Sequence, residues 1–304
     1  MISQAVIEAL QKYVSEDNIL YNEPLKNHTT FRVGGNADCF IKVTKAEELS
    51  PILNYLSKVE IPYLVMGNGS NLLVSDDGYR GIVLSVAEGM SDISVVGNRI
   101  YAQAGAFLSK VARVAAENGL TGLEFAAGIP GTVGGGIVMN AGAYDGEMKQ
   151  VVESVTVLDA TGNEMELDNA TMEFGYRTSV LKKHPFIATR CCFVLEQGDK
   201  QAILDKMADF QGRRKDKQPL EFPSAGSTFK RPEGHFAGKL IMDAGLAGYS
   251  IGGAQVSEKH CGFIINTGDA TATDVYKLIA FVQEEVANRF SVKLEPEVIM
   301  VGKF

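Results

Sequence analysis

The 304-residue sequence predicts an α+β protein of two or three compact units, and three observations predict it. Short apolar runs of strand length alternate with stretches of helical period. Polar–apolar alternation broken by turn residues adds a hairpin, so the chain is not a simple succession of helix-linked strands. Finally, 45% hydrophobic and 22% charged residues is ordinary globular composition, at a length that lets each unit bury a core.

The elements follow in order. MISQAVIEALQKYV sets Ile2, Val6, Leu10 and Tyr13 or Val14 on one helical stripe. CFIKV (39–43) alternates as a strand. Thr44 caps a helix over 45–58, and Pro62 stops it. IPYLVMG (61–67) and GIVLSV (81–86) read as buried strands, closing a first unit at 1–86. RIYAQAGA (99–106) reads as a strand leading to a helix over 107–118, which ends at Asn118-Gly119. Residues 151–167 alternate, turn at Asp159–Asn163 and alternate again, which is a hairpin. FIATRCCFVLE (186–196) is a further strand, and a second unit spans 87–200. The third unit, 201–304, takes a helix over 200–217 that turns basic at RRKDK. It continues with PSAGSTFKRP (223–232), whose glycine and prolines exclude a long helix or a central strand. A strand at CGFIIN (261–266) and a helix at 273–290 follow. Thr271 or Thr273 caps that helix, and Val275, Leu278, Ile279, Val282 and Val286 form its buried face. SVKLEPEVIMVG is the last strand.

Composition excludes several classes of function. The net charge is −8, from 29 Lys+Arg against 37 Asp+Glu, with no basic block of the kind that nucleic acid or an anionic membrane demands. Cys39, Cys191, Cys192 and Cys261 form no CxxC, and the four histidines lack zinc spacing. Reduced thiols, no structural metal and a cytoplasmic location are the expectation. Polar and acidic interruptions deny the N-terminus the h-region of a signal peptide or the length of a membrane span.

Several stretches carry possible chemistry. In MGNGSNLL, Gly67 and Gly69 let successive amides converge as an anion nest, or form a simple turn; the absent third glycine excludes the Rossmann fingerprint. GIPGTVGGGIVMNAGAYDG (128–146) holds seven glycines among apolar residues. That composition suits a buried backbone pressed against a flat or phosphorylated ligand, or close helix–sheet packing. Arg32 in TTFRVGG is a surface arginine or a phosphate partner. In FGYRTS, Arg177 beside Tyr176 either stacks or binds a carboxylate. Glu295 and Glu297 share a strand face, solvated or functional.

Taken in order, TTFRVGG, GNGSNLL, GIPGTVGGGIVMNAGAYDG, FGYRTS, SAGSTFKRP, GGAQVSEKHCGFIINTG and LEPEV resemble the UDP-N-acetylenolpyruvoylglucosamine reductase (MurB) family, over roughly residues 25–302. The resemblance implies a two-lobed FAD-binding α/β domain of the PCMH, vanillyl-alcohol-oxidase-like type, and a C-terminal α+β substrate-binding domain. It implies reduction of UDP-N-acetylglucosamine enolpyruvate to UDP-N-acetylmuramate with NADPH, in peptidoglycan precursor synthesis. The family's catalytic arginine, serine proton donor and glutamate fall on Arg177, Ser227 and Glu297. Its FAD contacts fall on Arg32, on Gly67, Asn68, Gly69, Ser70 and Asn71, and on Gly128, Ile129, Pro130, Gly131, Gly134 and Gly135. Tyr176, Lys230 and Arg231 fall to the substrate. The chain resembles the shorter branch, which lacks the longer branch's tyrosine loop. The first glycine loop has no histidine, so noncovalent FAD is expected.

The implied chemistry gives the residues distinct tasks. Hydride added to the enolpyruvyl double bond pushes charge onto the adjacent carboxylate as an enolate. Arg177 stabilises it by charge, and a protonated Glu297 does so by a hydrogen bond. Ser227, flanked by Lys230 and Arg231, supplies the proton to carbon. The rivals are an FAD-dependent oxidase of a sugar or hydroxy acid on the same fold, and a non-catalytic sugar-nucleotide sensor, which would need no proton donor.

Overall fold

The computed structural model describes residues 2–87 and 89–304. The chain divides into two compact units. One comprises the N-terminus to Tyr21, Cys39–Asn68 and Gly81–Arg214; the other comprises Asn22–Asp38, Gly69–Arg80 and Lys215–Phe304. This division differs from boundaries at 86 and 200. The reason is burial: Phe31, Val33 and Leu73 lie in one core with Leu278, Ile279 and Val298. Leu72–Val74 also pairs, in parallel, with Ile299–Val301. Two excursions from the N-terminal half thus complete a unit whose other residues come from the C-terminal third, an exchange no local periodicity can show.

The first unit has two cores, in keeping with two lobes. One lies on helices α1 (Gln4–Leu10) and α2 (Ala46–Lys58) and includes Ile7, Leu10, Leu49, Ile52, Leu53, Ile82 and Leu84. Its sheet orders Ile19–Pro24, Asn36–Lys42, Tyr79–Ser85 and Tyr63–Met66, the last two parallel with Leu64 opposite Val83. The expected cap of α2 sits differently. Lys45 is the N-cap, while the Thr44 hydroxyl and amide both donate to Glu48, at 2.8 and 2.7 Å.

The other core is covered by a five-stranded antiparallel sheet, in the order Glu164–Asp168, Val152–Leu158, Ile187–Val194, Arg99–Gln103 and Ile93–Val96. The hairpin and the 186–196 strand stand where alternation places them. Cys191 faces Val155 and Ala102 across the central strand. All four cysteines are buried and none is in a disulfide. Helix α3 (Leu108–Glu117) buries Leu108, Val111, Ala112, Ala115 and Ala116 on one stripe. A short helix α4 (Val133–Val138) forms inside the glycine run, against glycine's weak helix propensity. Tertiary bonds impose it: the Val133 amide donates to Ala106 O and the Gly134 amide to Ala104 O, each at 2.8 Å. Helix α5 (Lys200–Lys217) matches its expected span.

The second unit packs α6 (Ala237–Asp243) and α7 (Ala272–Phe290) with a three-stranded antiparallel sheet, Ser250–Ile251, Ala254–Val256 and Ile264–Asn266. Thr271 is the cap of α7: its hydroxyl accepts from the Asp274 amide at 3.0 Å, and the Asp274 carboxylate takes the Thr271 amide at 2.9 Å. Thr273 instead gives its amide and hydroxyl to Asp76. The last strand is shorter than read from sequence, since only Ile299–Val301 is regular and Glu295 and Glu297 precede it in irregular chain. Among the described residues no helix is long and apolar enough to cross a membrane.

Val275, Leu278, Ile279, Val282 and Val286 are all within 1% of full burial, so the α7 face anchors the second unit. Leu278→Ala should cost about 2–5 kcal/mol, read as a fall in the denaturation midpoint in urea. A cost below ~1 kcal/mol would mean this helix is dispensable to the core.

Candidate functional site

In the second unit, the segment after Pro223 is extended and hydrogen-bonded on both sides, although it forms only isolated bridges. On one side the Thr228 amide donates to Gly262 O at 2.8 Å, and Ser227 pairs with Phe263. On the other, the Glu297 amide donates to Thr228 O and the Lys230 amide to Glu295 O, each at 2.8 Å, with Phe229 opposite Pro296. Proline and glycine density therefore does not make this a free loop: the prolines stand at its ends, and Gly226, with φ 73°, supplies the bend before the extended run. Thr228 and Phe229 are buried, and the Thr228 hydroxyl accepts from the Ile264 amide at 3.0 Å. Ser227 itself is exposed on this pinned backbone. Sequence-separated Ser227 and Glu297 are thus neighbours through the Thr228 carbonyl. Asn71 joins them, its Nδ2 donating to Glu297 O at 3.1 Å and its carbonyl accepting from the Ile299 amide.

The flanking cations are not equivalent. Lys230 Nζ pairs with Glu295 Oε2 at 3.1 Å, so part of its charge is already answered. Arg231 lies over the Phe236 ring at 4.0 Å, an exposed cation–π contact. Gly69 (φ 59°) lies so close to His28 and Thr29 that any Cβ would overlap the His28 carbonyl. Beside it the Thr30 amide donates to Gly69 O, and the buried Thr30 hydroxyl has no hydrogen-bond partner among the described residues. Arg32 ends this turn at φ 56° with its side chain exposed.

In the first unit the other half of the glycine loop meets the second glycine segment. Asn68 Nδ2 donates to Pro130 O at 2.6 Å, and a Cβ on Gly67 would overlap the buried Thr132 side chain. Gly128 lies against Arg214: a Cβ there would stand 2.6 Å from its Cδ. Gly134 and Gly136 are explained by packing, against Ala104 and Leu108 respectively. Gly135, exposed, would bring a Cβ near nothing closer than Thr132 Oγ1 at 3.8 Å. The packing reading therefore holds at Gly134 and Gly136, while Gly135 is left open.

Arg177 belongs to the first unit. It sits at φ 55° in the tight turn Gly175–Thr178, its guanidinium 5.3 Å over the Tyr176 ring and donating to Gly142 O at 3.3 Å. Asn140 builds that turn. It is buried, at φ 42°, a conformation asparagine tolerates. Its Nδ2 donates to Gly175 O and Glu147 Oε2, both at 3.0 Å, and its Oδ1 accepts from the Lys149 amide. Fully buried Ser179 donates to Val138 O at 3.0 Å on the far side of the turn. Neither Asn140 nor Ser179 stands out in sequence, because an asparagine after an apolar helix reads as a C-terminal stop. Among the described residues no group of three or more His, Cys, Asp or Glu side chains could hold a metal ion.

Comparison with known proteins agrees with this arrangement. Residues 37–168 match the model of an FAD binding domain, and residues 218–301 that of the UDP-N-acetylenolpyruvoylglucosamine reductase C-terminal domain. The chain is 50% identical to the UDP-N-acetylenolpyruvoylglucosamine reductase of Caldanaerobacter subterraneus subsp. tengcongensis, over 99% of this chain and 100% of that one. It is 48% identical to that of Exiguobacterium sibiricum, over 100% and 99%. The crystal structure of the reductase (MurB) from Thermus caldophilus superposes with a TM-score of 0.80 at 38% identity, covering 93% of this chain and 98% of that one. The glucose dehydrogenase Phl p 4.0202, with a TM-score of 0.52 at 14% identity over 65% of this chain, shares the fold alone. The residues present fit a bound dinucleotide: glycine loops that no side chain may fill, and beside one of them a buried hydroxyl without a partner.

Two consequences can be measured. Asn140→Ala removes bonds to a part-buried carbonyl and carboxylate and should cost about 1–3 kcal/mol in urea unfolding. Asn140→Gly, which keeps the left-handed conformation, should lose less. The second concerns His260, whose pKa burial lowers, outweighing a backbone hydrogen bond that raises it. Its Nδ1 accepts the Gly262 amide at 3.2 Å, so protonation breaks that bond beside the Thr228 contact. A depressed folded pKa means stability that is full above the unfolded value of about 6.5 and lost as pH falls below it. Between pH 7 and 5, the melting temperature of His260→Asn should fall less than that of the parent protein; equal falls would exclude His260 as a source of acid sensitivity.

Proposed function

The chain belongs to the UDP-N-acetylenolpyruvoylglucosamine reductase family, and on that premise we propose that it reduces UDP-N-acetylglucosamine enolpyruvate to UDP-N-acetylmuramate with NADPH. The observation that carries this reading is exposed Ser227 on a backbone pinned on both sides, with the Glu297 amide bonded to the carbonyl of the next residue, Thr228. A binding protein has no use for a proton donor held so rigidly.

Gly67–Asn71, Gly128–Gly131, Gly135, the Thr30 hydroxyl and Arg32 are the groups that would hold FAD, which would supply the hydride for the enolpyruvyl double bond. Arg177, oriented by the Asn140-built turn, takes the carboxylate of the enolpyruvyl group, with Tyr176 holding its guanidinium plane. Glu297, in its acid form, takes the part of the family's glutamate, donating a hydrogen bond as charge accumulates on the substrate. Each such donor contributes on the order of 3–4 kcal/mol to the transition state. The product needs a proton on carbon, delivered from one face. Ser227 Oγ gives it, and the Ser227 alkoxide that results is reprotonated from solvent, to which it is exposed. Arg231, lying over Phe236, and Lys230, tied to Glu295, offer positive charge to the substrate's phosphates.

Ser227→Ala separates the two halves of the reaction. NADPH should still bleach the flavin absorbance at the normal rate, while reoxidation by the enolpyruvyl sugar nucleotide should slow by at least 10²-fold. The melting temperature should not move, since the residue is exposed. Reoxidation at the parent rate would remove Ser227 from the mechanism.

A further inference from the structure

Asn71 stands at the start of the parallel pairing between Leu72–Val74 and Ile299–Val301. The Ile299 amide opens the ladder by donating to Asn71 O at 2.9 Å. Rungs of a parallel pair are evenly spaced and slanted, and the two strands give and accept in turn. The next rung would therefore run from the Asn71 main-chain amide to the Glu297 carbonyl. The side chain makes it instead: Asn71 Nδ2 donates to Glu297 O at 3.1 Å. A main-chain rung can be made by almost any residue, whereas this one needs a side-chain donor of this reach. Its effect falls on Glu297, which lies outside the regular strand. The Glu297 amide donates to Thr228 O at 2.8 Å, so the Asn71 bond holds the second of the two peptide planes that flank its Cα. Pro296, opposite Phe229, precedes it, and buried Val298 follows. With both planes held, φ and ψ of Glu297 are set, and with them the direction in which its side chain leaves the backbone.

We infer that the Asn71 side chain is a positioning residue for Glu297, acting through the Glu297 carbonyl rather than by contact with the substrate. The inference rests on the reading that Glu297 donates a hydrogen bond to charge developing on the substrate. Two features support it. The bond joins residues 226 positions apart and ends on the main chain of the very residue to be aimed, so it is no product of a local turn. And a donor to a transition state works only when its own support is rigid, since a small displacement forfeits the interaction. Asn140 serves Arg177 by the same device, with its side-chain amide on the Gly175 carbonyl at 3.0 Å. Each residue proposed to stabilise charge thus takes its main-chain position from an asparagine side chain. The role is separate from the main-chain part that Gly67–Asn71 would play toward FAD.

The test is a double-mutant cycle on full-length, flavin-loaded protein: the parent, Asn71→Ala, Glu297→Ala and the double variant. Each is reduced with NADPH and mixed with UDP-N-acetylglucosamine enolpyruvate while flavin absorbance reports reoxidation. Asn71→Ala should slow reoxidation by about tenfold or more. In the Glu297→Ala background the same change should slow it by less than about twofold, because the group being positioned is already gone. Asn71→Asp, which keeps the size of the side chain and loses the donor, should behave like Asn71→Ala. A residue that served only the fold would give the same loss in both backgrounds, and that outcome overturns the proposal. Reoxidation of Asn71→Ala at the parent rate also overturns it. So does loss of flavin from both Asn71 variants, which would make the side chain part of the cofactor loop. The underlying reading fails in a different way: Glu297→Ala reoxidised at the parent rate removes Glu297 from the mechanism and the proposal with it, whereas a slow Glu297→Ala with an Asn71 loss independent of it sinks the proposal alone.

Discussion

The Thr228 peptide unit is the contact on which the roles proposed for Ser227 and Glu297 depend. Its amide is held by Gly262 and its carbonyl by the Glu297 amide, both at 2.8 Å. The side chain is buried and bonded as well. A residue bonded from three directions has no freedom left, and its neighbour Ser227 inherits that rigidity. The serine hydroxyl needs no support of its own, because position is supplied through the main chain. The same peptide unit brings in Glu297, and through Asn71 it reaches the glycine loop. Backbone hydrogen bonds thus do here what side-chain networks do in many catalytic sites.

In the first unit the corresponding task falls to a side chain. Asn140 adopts a left-handed conformation and spends its amide on the carbonyl of Gly175, two residues before Arg177. Arg177 is itself left-handed, as are Tyr144 and Asp145 in the adjoining turn. Several strained residues in one neighbourhood are costly and persist only where surrounding structure over-determines them. Here the surroundings are the buried Asn140, the buried Ser179 and the Gly142 carbonyl.

The glycine segments show why one residue type need not mean one thing. Gly134 and Gly136 let a short helix lie against Ala104 and Leu108. Gly67 and Gly69 let loops approach Thr132 and His28, and Gly128 makes room for Arg214. Gly135, by contrast, has nothing within ordinary contact except the Thr132 hydroxyl at 3.8 Å. A count of glycines could not sort these, since the distinction lies in what a missing Cβ would have touched.

Sequence by itself determined the elements with strong periodicity and the motifs with fixed spacing. The α7 face, the 151–167 hairpin and the span of α5 depend on local pattern and neighbour-to-neighbour geometry, so they were legible. The ordered motifs were enough to indicate the family and its two-part fold. Tertiary structure alone decided three things. It assigned Asn22–Asp38 and Gly69–Arg80 to the C-terminal unit, because Phe31 and Leu73 are buried there. It gave the segment after Pro223 partners on both sides, from residues 262 and 295–297. It singled out Asn140, whose type and position are unremarkable until one knows which carbonyl it bonds. The physical reason is common to all three: burial and partnership are properties of residues far apart in the chain, and no window of sequence contains both.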